Sequence, residues 1–362
     1  MQPRILALIV MALAGLAASA SAADPFYKGK TINFIVGYAP GGGSDLTCRV
    51  FANHMGRYIE GNPTIVVKNM PGASGANAAN YVGEAARPDG LTALCGTISF
   101  ALSLLGDPAL RVDFAKFNYI IGVADSQVFY VRTDVKPGLK SGRDIFKAEN
   151  LIYGGFFVSS TKDLSARPAL NALGLKYKYV TGINGDGAGR TAVQQNFVNA
   201  WMEGLASYVS ITDPTLVKTG VVVPVFQSGL PDTSGELTQR DIAAPDIPTF
   251  MEFYKERFGS PPSGKDWDVV KLLLGSQAVA QRALALAPNA PAEAVQALRG
   301  ATEPLLRDDK FRAEAGRVMG AGVQAFAGER VAGVLQRALA SPEETRVYIK
   351  QLVESGKAAT RN

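Results

Sequence analysis

The chain has 362 residues, of which 47% are hydrophobic and 19% charged, and this composition excludes intrinsic disorder, which needs low hydrophobicity and a large charge excess. The length exceeds what one hydrophobic core usually fills, so we expect two domains. The 37 Lys and Arg residues outnumber the 32 Asp and Glu residues only slightly and form no basic run, which disfavours nucleic-acid binding.

The first 23 residues have the layout of a secretory signal peptide. Arg4 precedes an apolar stretch over residues 5–16, and the small residues 17–23 follow with A-x-A cleavage patterns. The apolar stretch is too short to span a bilayer, although a retained membrane anchor is the alternative. We therefore predict a signal peptide over residues 1–23 and an exported, soluble mature protein.

Cysteine and histidine are scarce. The only His is His54 and the only Cys residues are Cys48 and Cys95, so one chain cannot assemble a zinc site from four cysteines, three histidines or two of each. Export makes a Cys48–Cys95 disulfide chemically possible, but two small buried thiols fit the sequence equally well. No metal or cofactor is predicted.

Strands and helices alternate along the mature chain, which indicates βαβ units and a parallel sheet. The predicted strands cover residues 31–38, 64–68, 91–95, 119–124, 128–131, 151–155, 176–180 and 221–226. Helices are predicted over residues 46–59 and 76–86 and from the 159–161 loop to about residue 173. From about residue 267 onward we expect the chain to be helical.

Three predicted strand–helix loops share one design, with small residues at the turn: residues 41–44, 72–75 and 159–161. Their backbone N–H groups and hydroxyls can bind an anion at a helix N-terminus, in the crevice at the carboxyl ends of parallel strands. Apart from Lys162 at the edge of the third loop, they contain no Lys or Arg. A carboxylate held by neutral donors therefore fits better than a phosphate. The alternative is that each loop is only a tight turn.

Enzyme motifs are incomplete. Leu46 stands where a dinucleotide-binding fingerprint needs its third glycine, and Ala76 stands where a nucleophile elbow needs Gly. His54 lies roughly 16 Å down the predicted helix from the 41–44 loop, too far for a catalytic base, so we interpret it as a surface or packing residue. An exported hydrolase or isomerase using Ser74 or Asp45 remains an alternative. For Asp45 two other interpretations stay open: it interacts favourably with the dipole of the helix as an acidic residue in the first turn, or it orients the loop amides.

Four segments in this order after a signal peptide resemble the substrate-binding proteins of tripartite tricarboxylate transporters, the Bug/TctC family. These segments are residues 31–45, 66–75, 88–97 and 245–250. The middle of the chain departs from the family pattern, so the resemblance does not identify the ligand.

The resemblance implies an α/β periplasmic-binding-protein-like fold. It has two domains joined at a hinge of crossing strands, each with a largely parallel sheet flanked by helices, that close on a small carboxylate like a Venus flytrap. We expect domain 1 to contain residues 24–124 and 222–362, and domain 2 residues 125–221.

The resemblance also implies a ligand site with two jaws. The first jaw would consist of Gly41, Gly42, Gly43, Ser44, Asp45, Gly72, Ala73, Ser74 and Thr97. The second jaw would consist of Ser159, Ser160, Thr161, Thr181 and Gly182. Phe156 and Phe157 would either line the apolar side of the pocket or belong to the core.

The function implied is that of a non-catalytic, monomeric periplasmic binding protein. It would deliver an organic carboxylate to the membrane subunits of a tripartite tricarboxylate transporter, with no nucleic-acid partner. A carboxylate sensor that contacts a signalling receptor would have the same fold and pocket, so it remains a further alternative.

Overall fold

The computed structural model describes residues 24–41, 43–124, 126–232, 235–319 and 324–359. Within these ranges the strands are β1 (Thr31–Val36), β2 (Thr64–Asn69), β3 (Thr92–Gly96), β4 (Asn118–Val123), β5 (Gln127–Arg132), β6 (Leu151–Gly154), β7 (Tyr177–Val180), β8 (Ala200–Gly204), β9 (Val222–Gln227), β10 (Arg282–Leu286) and β11 (Ala325–Ala327). The α-helices of the same ranges are α1 (Gly43–Met55), α2 (Ala76–Asn80), α3 (Phe100–Leu105), α4 (Thr161–Ala172), α5 (Asp186–Gln194), α6 (Leu205–Ser207), α7 (Phe250–Phe258), α8 (Lys265–Ala280), α9 (Ala292–Gly300), α10 (Thr302–Arg307), α11 (Asp309–Met319), α12 (Gly328–Leu339) and α13 (Glu343–Ala359). π-helical turns continue α2 over Tyr81–Ala85 and α6 over Tyr208–Val217.

The first sheet has the strand order β11-β4-β10-β3-β1-β2. β1 runs parallel to β2 and β3, whereas β10 runs antiparallel to β3 and β4, and β11 antiparallel to β4. Phe34, Ile35 and Val36 of β1 are buried in succession, which is typical of a strand covered by helices on both faces. One face packs on α1 and α9 to α11, and the other on α2, α3, α8, α12 and α13.

The second sheet has the strand order β7-β6-β8-β5-β9. β6 runs parallel to β7 and β8, and β5 runs antiparallel to β8 and β9. One face packs on α4, α7 and α8, and the other on α5, α6 and the π-helical turn after α6. Because β9 pairs with β5, the expected domain boundary before residue 222 is wrong, and the second sheet continues to Gln227.

The expected fold class of two helix-flanked α/β sheets is confirmed, but both sheets are mixed rather than largely parallel. The expectation of an all-helical segment after residue 267 is also wrong, because β10 and β11 lie in it. Arg-Ala-Leu-Ala-Leu in β10 consists of good helix formers, yet pairing with strands on both sides imposes the extended conformation.

Two crossing segments lie side by side between the sheets. The chain leaves the first sheet between β4 and β5, and it leaves the second sheet after β9. The Oγ atoms of Ser126 and Ser228 are 3.1 Å apart, and the N–H of Gln127 donates to Ser228 Oγ at 3.0 Å. Both serines are buried, so this contact ties the crossing segments together where we expect a hinge.

The predicted signal peptide over residues 1–23 lies outside the described residues. Of the helices in the described ranges, none combines the length and the apolar character needed to cross a membrane.

Candidate functional site

The first jaw lies where three adjacent strands end. β3, β1 and β2 are neighbours and run parallel, so the loops that follow them meet at one edge of the first sheet. A Cβ added at Gly37 would lie 2.8 Å from Gly75 Cα, so only a glycine at position 37 permits this approach of the first two loops. The sequence-predicted loops at residues 41–44 and 72–75 are therefore brought together.

Ser44 and Thr97 form a hydroxyl pair in this jaw. Ser44 Oγ lies 2.7 Å from Thr97 Oγ1, and the N–H of Thr97 donates to Ser44 Oγ at 3.3 Å. Immediately beneath the pair, Cys48 of α1 and Cys95 of β3 form a disulfide, which settles the pairing that the sequence left open. The disulfide fixes the first turns of α1 against the end of β3.

Asp45 organises the loop before α1. Its carboxylate accepts hydrogen bonds from the N–H of Gly41 (2.8 Å), Arg49 Nε (2.9 Å) and Asn69 Nδ2 (2.9 Å). Burial acts to raise the pKa of Asp45, but these three hydrogen bonds outweigh it and hold the pKa below its ordinary value. Both carboxylate oxygens are thus engaged, and the N–H of Gly41 is used within the protein rather than free for a ligand.

The second loop of the first jaw has an unusual backbone. Ala73 (φ 47°) and Ser74 (φ 51°) both lie in the left-handed region, which is strained for residues with a side chain. The hydroxyl of Tyr38 donates to the carbonyl of Ser74 at 3.1 Å and lies 2.8 Å from Ser99 Oγ, and Ser99 Oγ also donates to that carbonyl. Tyr38 and Ser99 therefore fix the conformation of this loop.

Sequence reasoning missed four side chains that support the first jaw. They are Tyr38, Arg49, Asn69 and Ser99. Tyr38 is the last residue of one predicted strand, and Asn69 directly follows another. Their positions beside the loops could therefore have indicated their supporting role. Among the predicted first-jaw residues, Gly42 lies outside the described residues.

The second jaw is formed by the loops after the parallel strands β6 and β7. The N–H of Gly182 donates to the carbonyl of Phe156 at 2.7 Å, and the N–H of Gly155 donates to that of Val180 at 2.7 Å. Thr181 beside this contact is partly buried. The two loops predicted for this jaw are thus joined to each other by backbone hydrogen bonds.

Ser160 has a definite structural role, because its Oγ accepts a hydrogen bond from the N–H of Asp163 (3.1 Å) and caps α4. Ser159 and Thr161 on either side of it are partly buried. The hydroxyls of the second jaw therefore surround the N-terminus of α4, as the sequence predicted.

A buried cation supports the second jaw. Lys162 Nζ lies 3.3 Å from Asp186 Oδ1, 4.2 Å from the ring centre of Phe156 and 3.8 Å from that of Trp201. Burial lowers the pKa of Lys162, and Asp186 opposes this shift. The neighbouring Phe157 is 48% exposed, so it does not belong to the core.

Glu203 lies in a buried polar cluster on the same sheet. It accepts hydrogen bonds from Thr212 Oγ1 (2.6 Å) and the Tyr130 hydroxyl (3.2 Å), and Arg190 Nη1 lies 3.2 Å from it. Burial raises the pKa of Glu203 to about 7; Asp186 adds to the shift, while Thr212 and Arg190 oppose it. No feature of the sequence analysis pointed to this cluster.

His54 is confirmed as a packing residue. It is buried at the far end of α1 from the first jaw, with its Nε2 atom 2.6 Å from Glu314 Oε2. It therefore lies too far from the first jaw to serve as a base for Ser74. Across the described ranges, no group of three or more His, Cys, Asp or Glu side chains is arranged to hold a metal ion.

The two jaws make no hydrogen bond or ion pair with each other among the residues that the structure describes. That Ser44 and Ser160 face each other across a ligand therefore stays a prediction.

Solved structures with the same fold are known. A TctC solute-binding protein from Polaromonas, without ligand, gives a TM-score of 0.66 at 21% identity, covering 91% of this chain and 99% of that protein. The periplasmic binding protein BugD gives 0.58 at 17% identity, covering 90% and 98%. The chain has the fold of the TctC and Bug periplasmic binding proteins.

A third structure with the TctC/Bug fold, MatC from Rhodopseudomonas palustris with bound malate, gives a TM-score of 0.56 at 20% identity, covering 90% of this chain and 99% of MatC. No protein-family model matches the sequence, and no curated protein matches it. The predicted resemblance is thus confirmed at the level of the fold.

Proposed function

We propose that this protein is a periplasmic solute-binding protein of the TctC/Bug family, which captures a small organic carboxylate between its two jaws and delivers it to a tripartite tricarboxylate-type membrane transporter. MatC, which shares the fold, holds malate. The observation that carries the proposal is the Ser44–Thr97 hydroxyl pair at the start of α1. It lies at the edge of the first sheet where the loops after β1, β2 and β3 meet.

The hydroxyl pair has donor capacity left for a ligand. One hydroxyl donates to the other across 2.7 Å, and Ser44 Oγ also accepts the N–H of Thr97. Whichever hydroxyl donates within the pair, the hydrogen of the other remains for a ligand oxygen. The first N–H groups of α1 lack helical acceptors and carry the positive end of the helix dipole. A carboxylate oxygen matches both kinds of donor.

A non-catalytic role is part of the proposal. Asp45 has its oxygens engaged and a lowered pKa, which suits a positioning residue better than a general base. Ser74 lacks a histidine partner, since the chain's single His pairs with Glu314. Incubating the pure protein with a bound acid should therefore leave the acid chemically unchanged by mass spectrometry.

Export is supported by the disulfide as well as by the predicted signal peptide. The Cys48–Cys95 bond uses both cysteines of the chain, and disulfides persist in oxidising compartments such as the bacterial periplasm. A fusion of residues 1–23 to alkaline phosphatase, which is active only after export, tests the location.

Binding is tested on the mature protein, residues 24–362, by thermal shift and calorimetry with malate, adipate, citrate, benzoate and glutamate. A ligand at 100 times its Kd stabilises the folded state by about 2.7 kcal/mol, which for a chain of this size corresponds to a rise of roughly 4 °C in Tm. We expect at least one acid to produce such a rise, and chemical conversion of that acid would contradict the non-catalytic role.

The site is tested by Thr97→Val, which removes one hydroxyl and keeps the side-chain shape. Loss of a hydrogen bond to a charged group should weaken binding roughly 10-fold. Thr31→Val is the matched control, because Thr31 is exposed at the opposite end of β1. Equal affinity in Thr97→Val and Thr31→Val would place the ligand away from the first jaw.

A further inference from the structure

Arg282 lies at the mouth of the first jaw, although no sequence motif includes it. It is the first residue of β10, and its neighbour Ala283 pairs with Gly96 of the antiparallel β3. The start of β10 therefore lies at the edge where β3 ends and Thr97 follows. On its other side, Arg282 pairs with Val123, the last residue of β4 before the crossing segment.

The guanidinium of Arg282 reaches the start of α1. A Cβ added at Gly43 would lie 3.4 Å from Arg282 Nη2, so the guanidinium lies beside the backbone of the first residue of the helix. Ser44, which follows Gly43, carries one hydroxyl of the Ser44–Thr97 pair. One cation, two hydroxyls and a helix N-terminus thus lie together at one edge of the sheet.

Arg282 differs from the other cations of the two jaws because no described residue is its acidic partner. Arg49 pairs with Asp45, and Lys162 pairs with Asp186. Beyond the backbone pairing of β10, the guanidinium of Arg282 makes no hydrogen bond, ion pair or ring contact within the described parts of the chain, and the residue is partly buried. A partly desolvated guanidinium beside the positive end of a helix is unfavourable unless an anion compensates it.

We propose that Arg282 pairs directly with the carboxylate of the ligand, in a forked, charge-assisted contact shared with the Ser44–Thr97 pair. Arg282 is then the residue that selects the carboxylate anion over the neutral amide of the same acid. This inference rests on the proposed function, and it replaces the expectation of a site made only of neutral donors. The absence of a side chain at Gly43 leaves the guanidinium next to the helix N-terminus.

Calorimetry on three arginine variants of the mature protein tests this role. The ligands are malate, adipate and benzoate, together with malamide, adipamide and benzamide. Arg282→Gln should weaken binding of the acid about 10- to 100-fold, and Arg282→Lys, which keeps the charge without the fork, about 3- to 10-fold. Arg87→Gln is the matched control, because Arg87 is 90% exposed in the turn before β3, at the opposite edge of the sheet.

The amides distinguish a direct contact from a structural role. If Arg282 contacts the carboxylate, affinity for the acid falls in Arg282→Gln while the already weak affinity for the amide stays unchanged. The unliganded variant should melt at the same temperature as the wild type or higher, because an uncompensated charge has been removed. An equal loss for acid and amide overturns the inference.

Failure of the inference differs from failure of the proposed function. Acid binding that is as tight in Arg282→Gln as in the wild type overturns the role of Arg282 and leaves carboxylate binding intact. Wild-type protein that binds none of the five acids of the thermal-shift test overturns both proposals.

Discussion

Reduction of the Cys48–Cys95 disulfide should destabilise the protein by an amount that follows from chain length. The bond joins residues 47 positions apart, and closing a loop of this size removes conformational entropy from the unfolded chain worth about 4 kcal/mol at 25 °C. Both cysteines are buried. Reduced thiols can therefore keep their packing, so the loss should come mainly from the unfolded state.

Urea unfolding of the mature protein with and without dithiothreitol measures this loss. The Cys48→Ala/Cys95→Ala double variant is the control, because no other cysteine exists in the chain. We expect the variant to be destabilised by the same amount plus a packing term, and to be insensitive to dithiothreitol. If the oxidised and the reduced wild type have the same free energy of unfolding, the claim that the disulfide stabilises the first jaw is refuted.

Three further predictions concern buried groups. Burial raises the pKa of Glu203 to about 7 in the folded chain. The free energy of unfolding should therefore be highest below about pH 4.5, and up to about 3 kcal/mol of it should be lost as the pH rises through 7. Glu203→Gln should flatten this pH dependence in urea unfolding, and parallel profiles for the variant and the wild type would contradict the prediction. Gly189→Ala places a Cβ 2.2 Å from the ring of Trp201 and should cost about 2 kcal/mol of stability; Gly187→Ala on the same helix, whose Cβ meets nothing closer than 3.8 Å, should not. Asp45→Asn replaces an acceptor oxygen with a donor in a carboxylate that accepts three hydrogen bonds and orders the loop before α1. Calorimetry should therefore show weaker acid binding, and unchanged affinity would contradict a role of this loop's order in binding.

The sequence was most informative where strands end in small residues. β1, β2 and β3 are rich in β-branched and apolar residues and are followed by Gly-containing turns, so their positions were predictable to within two residues. The place of Thr97 beside Ser44 was implied by the resemblance to the Bug/TctC family, and the structure brings the two together because the parallel strands β1 and β3 end at one edge. The disulfide could not be predicted, because spacing in the chain does not determine the distance between two thiols.

Long-range pairing accounts for what the sequence did not reveal. β10 has a helix-favouring composition and becomes a strand only because β3 and β4 flank it. This pairing also carries Arg282 to the first jaw, far from the loops in sequence. Likewise, the place of β9 depends on its pairing with β5, which no local pattern indicates.

A crystal structure of the mature protein with a bound acid tests the central claim most directly. We expect one carboxylate of the acid to lie within hydrogen-bond distance of the Ser44 or Thr97 hydroxyl, with the loops around Ser160 and Gly182 closed over its other end. An acid bound outside both jaws, with these loops apart, would contradict capture between the two lobes.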